Sequence, residues 1–317
     1  MRYTEKIKGN NSISILEKLL INNNYHWLLE RGNDINNPLI LFLHGGPGNA
    51  QIGWAAEFQK NLEKEFVVIN WDQKGSGLSY DINLKSEDMN LNLFLDELEE
   101  IVEFLIKKFK KDKIFLVGHS WGAILGINIV SKRPDLFYEY ISVCQPVNYQ
   151  MSDQISYEYV LRKAYKNMEY ELAEKLVSKR NNLITDEKEY IKLLRNLINK
   201  YNNSKKNSEI FKIMRKRNEY NNNDIINWIS GANFSLEHLW KDVKNTDLFK
   251  QIVKIETPIS FFLSRNDYNT PSSLIEEYYQ KLSAPRKNIV YFENSEHNIP
   301  FDEYKEFSTK ILELKKQ

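Results

Sequence analysis

The chain has 317 residues, enough for one large α/β domain or for a core with an inserted subdomain. Its 44 lysines and arginines balance 43 aspartates and glutamates, so the charge gives no argument for a nucleic-acid or anionic-membrane partner. A single cysteine, Cys144, excludes an internal disulfide and a cysteine-based metal site, and it is expected to be a small buried hydrophobe. The polar N-terminus, MRYTEKIKGNNS, lacks the apolar core of a secretory signal, which predicts a cytoplasmic protein.

The first third of the chain predicts strands and a glycine-rich turn. Residues 1–36 predict peripheral strands that form an antiparallel edge hairpin, because Tyr25–Gly32 alternates aromatic or aliphatic side chains with polar ones before a turn-like stretch. Leu39–Leu43 is apolar without alternation, as in a strand buried on both faces. The turn His44–Gly48 follows, and its glycines leave main-chain N–H groups free to point at a ligand.

The next elements predict a parallel βαβ unit and an amphipathic helix. Trp54–Lys64 is helix-like and leads to a second buried strand, Phe66–Trp71. Leu91–Lys110 repeats apolar residues at a period close to 3.6, with acidic residues early and lysines late, as the helix dipole favours. A further strand is predicted at Tyr140–Val143.

Between the last two elements lies the run IFLVGHSWG, Ile114–Gly122, which predicts a strand, a sharp turn and a helix. Gly118 and Gly122 have no Cβ, so strand and helix can close tightly around Ser120 and leave its hydroxyl exposed. Because Gly-x-Ser-x-Gly also occurs in ordinary strand-to-helix turns, a catalytic interpretation needs further features.

Between residues 149 and 251, short apolar strands give way to charged, tyrosine-rich helical segments, which predict an inserted helical cap. Acidic and basic residues alternate there, as on solvated helix faces rather than on a nucleic-acid surface. The α/β pattern then resumes with the strands ISFFLS and KNIVYF and a final helix from Phe301 to Leu314. The predicted organisation is a core formed by residues 1–148 and 252–317, with a cap at 149–251.

A serine hydroxyl needs a neighbouring base, and the base needs a carboxylate that fixes its tautomer. His297 follows the last core strand in a loop. The other histidines lie elsewhere: His119 in the turn beside Ser120, His44 in the glycine-rich turn, His26 in the N-terminal hairpin and His238 in the predicted cap. Asp267 occupies the equivalent loop after ISFFLS. Taken alone, Asp267 could cap a turn and His297 could be an exposed loop residue. The order Ser120, Asp267, His297 is that of an α/β-hydrolase.

An acyl-transfer site also needs two main-chain donors for the negative oxygen of the tetrahedral intermediate. Trp121, directly after the serine, can supply one N–H. Gly46 in HGGPG is the better candidate for the second donor, with Gly45 next.

Five motifs together resemble the proline iminopeptidase family of α/β-hydrolases: HGGPG at 44–48, DQKGSGLS at 72–79, GHSWG at 118–122, SRNDYNTP at 264–271 and SEHN at 295–298. The resemblance implies an α/β-hydrolase fold, with a mostly parallel sheet between helices and an inserted helical cap. It also implies a cytosolic serine peptidase that removes an N-terminal residue, often proline, from a small or short-peptide substrate. No metal, organic cofactor, nucleic acid or membrane is implied.

The sequence departs from the family pattern at several positions. Lys74 stands where the family usually has arginine, and Ser264 where it has glycine. Family aminopeptidases hold the substrate's free amine with cap carboxylates, and Glu237 is the candidate here. An esterase, a lactonase or another small-amide hydrolase stays open, as does a non-catalytic ligand-binding protein. Epoxide hydrolases and dehalogenases have a carboxylate where Ser120 stands.

Overall fold

The fold is organised around an eight-stranded sheet within residues 2–202 and 208–316, the part of the chain that this computed structural model describes. The strands are β1 (Ile13–Ile21), β2 (Asn24–Gly32), β3 (Leu39–Leu43), β4 (Val67–Asp72), β5 (Ile114–His119), β6 (Phe137–Val143), β7 (Ile259–Ser264) and β8 (Lys287–Phe292). Their spatial order is β1-β2-β4-β3-β5-β6-β7-β8. Strand β2 pairs antiparallel with β1 and β4, and the other neighbours pair in parallel.

Helices cover both faces of the sheet, which explains why its central strands are apolar without alternation. Leu39, Leu41 and Leu43 belong to one apolar cluster, which they share with α1 (Leu91–Phe109), α2 (Trp121–Lys132) and α9 (Ser272–Lys281). Ile40 and Phe42 point to the other face, where α11 (Tyr304–Leu314) contributes Phe307 and Ile311. The predicted parallel core, with a hairpin at its edge, is confirmed.

A helical segment, residues 149–251, separates β6 from β7 in the chain. Its described helices are α3 (Tyr149–Lys166), α4 (Tyr170–Asn181), α5 (Leu183–Asn202), α6 (Ser208–Lys216), α7 (Asn222–Lys244) and α8 (Leu248–Gln251). Helices α3, α4 and α5 share an apolar cluster of their own, which includes Val160, Leu176 and Leu194. That residues 149–251 form a separate cap domain stays a prediction.

Buried hydrogen bonds join the helical segment to loops of the sheet. The Trp228 indole N–H donates to the carbonyl of Ala50 over 2.7 Å, and the Ser235 hydroxyl donates to the carbonyl of Gly75 over 2.9 Å. The Tyr220 hydroxyl donates to the buried carboxylate of Asp72. The side of the segment that carries α7 is therefore fixed to the loops after β3 and β4.

The predicted helix at Trp54–Lys64 is wrong. Two short 3₁₀ turns, Ala55–Glu57 and Leu62–Lys64, form there instead. Between them the Gln59 side chain exchanges two hydrogen bonds with Asn70 of β4, at 3.1 and 2.8 Å. These tertiary contacts outweigh the local preference for helix.

The predicted final helix is interrupted. A short helix, α10 (Ile299–Asp302), precedes α11, and Glu303 lies between them. The Glu303 carboxylate accepts the main-chain N–H of Asn294 at 3.1 Å, which ties the break to the loop after β8. In the described part of the chain, no helix combines the length and apolar character required to cross a bilayer.

Candidate active site

Ser120 lies on a sharp turn between β5 and α2. Its backbone has φ 53° and ψ −115°, a strained conformation for a residue with a side chain. A β-carbon at Gly118 would overlap the carbonyl oxygen of Gly122, and one at Gly122 would overlap that of Leu43. The predicted need for glycine at both positions is confirmed, since only glycine lets strand and helix approach this closely.

The structure brings Ser120, His297 and Asp267 together from three separate loops. The Ser120 Oγ lies 3.0 Å from Nε2 of His297, and Nδ1 of His297 lies 2.8 Å from Oδ2 of Asp267. With Nδ1–H donating to the carboxylate, Nε2 is free to accept the serine proton. The three side chains thus form one continuous chain of hydrogen bonds.

Asp267 is buried and fully supplied with donors. The main-chain N–H groups of Asn269 and Thr270 donate to Oδ1 at 2.7 and 3.0 Å, and the Thr270 hydroxyl donates to Oδ2 at 2.5 Å. Burial opposes ionisation, but His297 and the hydrogen bonds from Thr270 outweigh it and hold the pKa of Asp267 below its usual value. Asp267 therefore caps its turn and orients the histidine at once.

Gly46 and Trp121 line the same cavity as Ser120. Gly46 has φ +122°, a conformation that favours glycine. Trp121 is the first residue of α2, where a main-chain N–H has no partner within the helix. Gly45 is not among the described residues that line the cavity; a β-carbon there would lie 3.2 Å from that of Ser120.

Sequence reasoning missed Gln73, whose side chain connects the two segments that carry Gly46 and Trp121. Its Nε2 donates to the carbonyl of His44 at 3.0 Å, and its Oε1 accepts the indole N–H of Trp121 at 2.9 Å. The main-chain N–H of Gln73 also donates to Nε2 of His44 at 3.1 Å. The DQ pair that opens DQKGSGLS was the available signal, but its partners emerge only from the fold.

His119 does not contact the serine hydroxyl. Its Nε2–H donates to the carbonyl oxygen of His297 at 2.7 Å, and the Cys144 thiol donates to the same oxygen at 3.4 Å. Burial lowers the pKa of His119 to about 4 and raises that of Cys144 well above its usual value.

One ring nitrogen of His119, one of His297 and the sulfur of Cys144 lie within 4.8 Å of one another, a spacing that could accommodate a metal ion. We interpret this cluster instead as support for the His297 loop, because each group is already hydrogen-bonded and the thiol resists deprotonation.

A cavity of about 320 Å³ opens onto Ser120 and His297 between the helical segment and the strand ends. Its apolar wall consists of Ile124, Ile191, Leu194, Ile198, Trp240 and Val243. Charged side chains also line it, namely Asp153 from α3, Arg195 from α5 and Glu296 beside His297.

Asp153 and Glu237 differ in their positions relative to this cavity. Asp153 accepts the Tyr190 hydroxyl at 2.8 Å and pairs with Arg180 at 3.0 Å. Glu237 was the sequence candidate for the substrate amine, but it lies outside the described cavity wall, 53% exposed, and pairs with Lys188 at 2.7 Å. That prediction is wrong, because Glu237 lies on the solvent-facing side of α7, whereas the adjacent Ser235 and Leu239 are buried.

Comparison with known proteins identifies the family. A family model described as "Serine aminopeptidase, S33" matches residues 35–304. The chain belongs to this serine aminopeptidase family. The chain is also similar to the "Probable aminopeptidase YbaC" of Bacillus subtilis (strain 168). The two are 32% identical over 308 residues, which cover 92% of this chain and 93% of that relative. The predicted α/β-hydrolase fold and family resemblance are confirmed.

The chain is also similar to proteins with different named activities. A "Proline iminopeptidase" of Heyndrickxia coagulans is 27% identical over 270 residues, 84% of this chain and 87% of that one. The solved structure of an esterase from Exiguobacterium antarcticum has a TM-score of 0.62 at 15% identity and covers 96% of this chain and 100% of its own. Membership of the serine aminopeptidase family thus supports a hydrolase. Because an esterase has the same fold, the fold does not distinguish amide from ester substrates.

Proposed function

We propose that the protein is a serine hydrolase that works through an acyl-enzyme, with Ser120 as nucleophile, His297 as general base and Asp267 as its orienting carboxylate. The observation that carries this proposal is the hydrogen-bond chain of 3.0 and 2.8 Å that ends at a serine facing a cavity. The strained elbow that presents Ser120 supports it further.

In the first half-reaction, Ser120 Oγ forms a bond to the substrate carbonyl carbon while its proton passes to Nε2 of His297. The bond to the leaving nitrogen or oxygen then breaks, and His297 returns the proton to that atom. In the second half-reaction, water attacks the acyl carbon, gives its proton to His297, and releases the acid as Ser120 regains the proton. Asp267 stabilises the cationic form of His297 in both halves.

The N–H groups of Gly46 and Trp121 are the proposed donors to the tetrahedral oxyanion, as the positions of both residues on the cavity wall support. Gly45 is the weaker candidate, since it is not among the described residues that line the cavity and it packs against His119 and the β-carbon of Ser120. The Gln73 bridge keeps the two donor segments at a fixed separation.

The leading substrate class is a short peptide with a free N-terminus, cleaved after its first residue in the manner of a prolyl aminopeptidase. A cavity of about 320 Å³ suits a ligand of one to three residues rather than a protein chain. Asp153, which is paired with Arg180, and Glu296 both line the cavity wall, and a carboxylate there can accept hydrogen bonds from a substrate ammonium. The aminopeptidase relatives support the same class.

Hydrolysis of a proline arylamide with a free amine, its N-acetylated twin and a short-chain aryl ester tests this function. Turnover of the free amine alone, abolished in Ser120→Ala, is the expected result. Turnover of the ester alone would retain the mechanism and overturn the aminopeptidase assignment. Failure of a serine-reactive phosphonate to label Ser120 would contradict the acyl-enzyme mechanism itself.

A further inference from the structure

Arg195 on α5 faces the cavity with its positive charge uncompensated by the described protein. It lines the cavity wall, half-buried, and its guanidinium carbon lies 4.9 Å from the ring centroid of Trp240. The carboxylates that, like Arg195, act on the neighbouring Tyr149 are already engaged, Asp153 with Arg180 and Glu187 with Lys244. Among the described residues, none forms an ion pair with Arg195.

This arrangement differs from that of comparable arginines in the described chain. Every other buried or half-buried arginine has a carboxylate partner: Arg31 with Glu63, Arg133 with Glu99, Arg180 with Asp153, Arg217 with Glu219 and Arg286 with Glu139. Burial without such a partner lowers the pKa of Arg195. A desolvated guanidinium of this kind gains from an incoming anion.

We propose that Arg195 binds a carboxylate of the substrate. This inference rests on the proposed function and narrows its substrate class to short peptides with a free C-terminal carboxylate. A guanidinium fork matches a carboxylate through two parallel hydrogen bonds.

Opposite charges on one cavity wall therefore fit both ends of a zwitterionic dipeptide. The ammonium belongs near the carboxylates, and the carboxylate belongs at Arg195 between the Trp240 face and the apolar residues of α5. The same chemistry could also come from the acyl side, as in a monoester of a dicarboxylic acid. The two sources share the guanidinium contact and differ in which product retains the charge.

The first experiment compares prolyl-alanine with prolyl-alaninamide, and an aryl monoester of glutaric acid with aryl pentanoate. We expect kcat/KM to favour the carboxylate member of one series by about 10- to 100-fold, the range for a charged hydrogen bond. Preference in the dipeptide series assigns the leaving side, and preference in the ester series assigns the acyl side. Equal kcat/KM within both series would overturn the proposal without touching the mechanism at Ser120.

Variants then assign the preference to Arg195. The ratio of kcat/KM for the carboxylate substrate to that for the neutral one should approach one in Arg195→Met. It should fall partway in Arg195→Lys, which keeps the positive charge but loses the two-pronged guanidinium. It should persist in Arg162→Met, which replaces an exposed arginine on α3. A ratio that survives Arg195→Met would refute the assignment. Because the ratio is taken on one protein sample, a partly unfolded variant does not bias it.

A binding measurement keeps this inference separable from the proposed function. Calorimetric titration of Ser120→Ala with prolyl-alanine and its amide needs no turnover. Tighter binding of the acid that is lost on adding Arg195→Met would support the carboxylate site even if no peptide were cleaved. Equal or undetectable binding of both ligands would overturn carboxylate binding from the leaving side.

Discussion

Replacing Gln73 with methionine should impair turnover without weakening substrate binding in proportion. The substitution keeps the shape of the side chain but leaves the His44 carbonyl and the Trp121 indole N–H unpaired, and both residues are fully buried. At about 1–3 kcal/mol for each orphaned group, the free energy of unfolding should fall by about 2–6 kcal/mol. Removal of one oxyanion donor costs about 100- to 1000-fold in kcat, so partial displacement of two should cost about 10- to 100-fold.

Gln59 offers a matched control, because it is also buried and also loses two side-chain hydrogen bonds, both to Asn70, on replacement by methionine. Denaturant unfolding should show a comparable loss of stability in Gln59→Met, whereas kcat for an aryl substrate should stay within about twofold of wild type. A kcat for Gln73→Met that matches the control, or a loss confined to KM, would refute the positioning role of Gln73.

Two further substitutions test residues that support the turns around Ser120. Burial lowers the pKa of His44 from 6.5 to about 4. The neutral, buried His44 therefore contributes its full stability above pH 6.5, and this contribution is lost as the pH falls toward 4. At pH 5 the free energy of unfolding should be lower by about 2 kcal/mol. His44→Gln should therefore lose less stability than wild type between pH 8 and 5 in denaturant unfolding; an unchanged pH dependence would contradict this. Gly122→Ala should lower the free energy of unfolding by about 3 kcal/mol and slow phosphonate labelling of Ser120, since its methyl overlaps the Leu43 carbonyl. An unaltered labelling rate would count against the tight elbow.

The sheet and the loops that carry the proposed triad could be predicted because local signals suffice there. An unalternated apolar strand such as Leu39–Leu43 is specified by its own composition, and all five residues are buried. Ser120, Asp267 and His297 each follow a parallel strand, and the ends of such strands meet at one edge of the sheet.

The walls of the cavity could not be predicted in this way. Which face of α5 or α7 points at Ser120 depends on how the helices of residues 149–251 pack, and neither periodicity nor composition fixes that packing. Glu237 was chosen from sequence position alone, whereas Asp153 and Arg195 line the cavity by virtue of tertiary contacts. Helix α9 was not predicted, although Leu274, Ile275 and Tyr278 are buried along it.

The bonds from the helical segment to Ala50, Asp72 and Gly75 make α7 a rigid wall rather than a hinged one. Swinging α7 outward together with Tyr220, which lies just before it, would break three buried hydrogen bonds. At about 1 kcal/mol each, the opened form would hold fewer than about one molecule in a hundred. The amide hydrogens of α7 should therefore exchange with solvent at least about 100-fold more slowly than those of an unstructured peptide. Helix α7 contributes Trp240 and Val243 to the cavity wall. These two side chains then select ligands by a cavity shape that is already formed before binding.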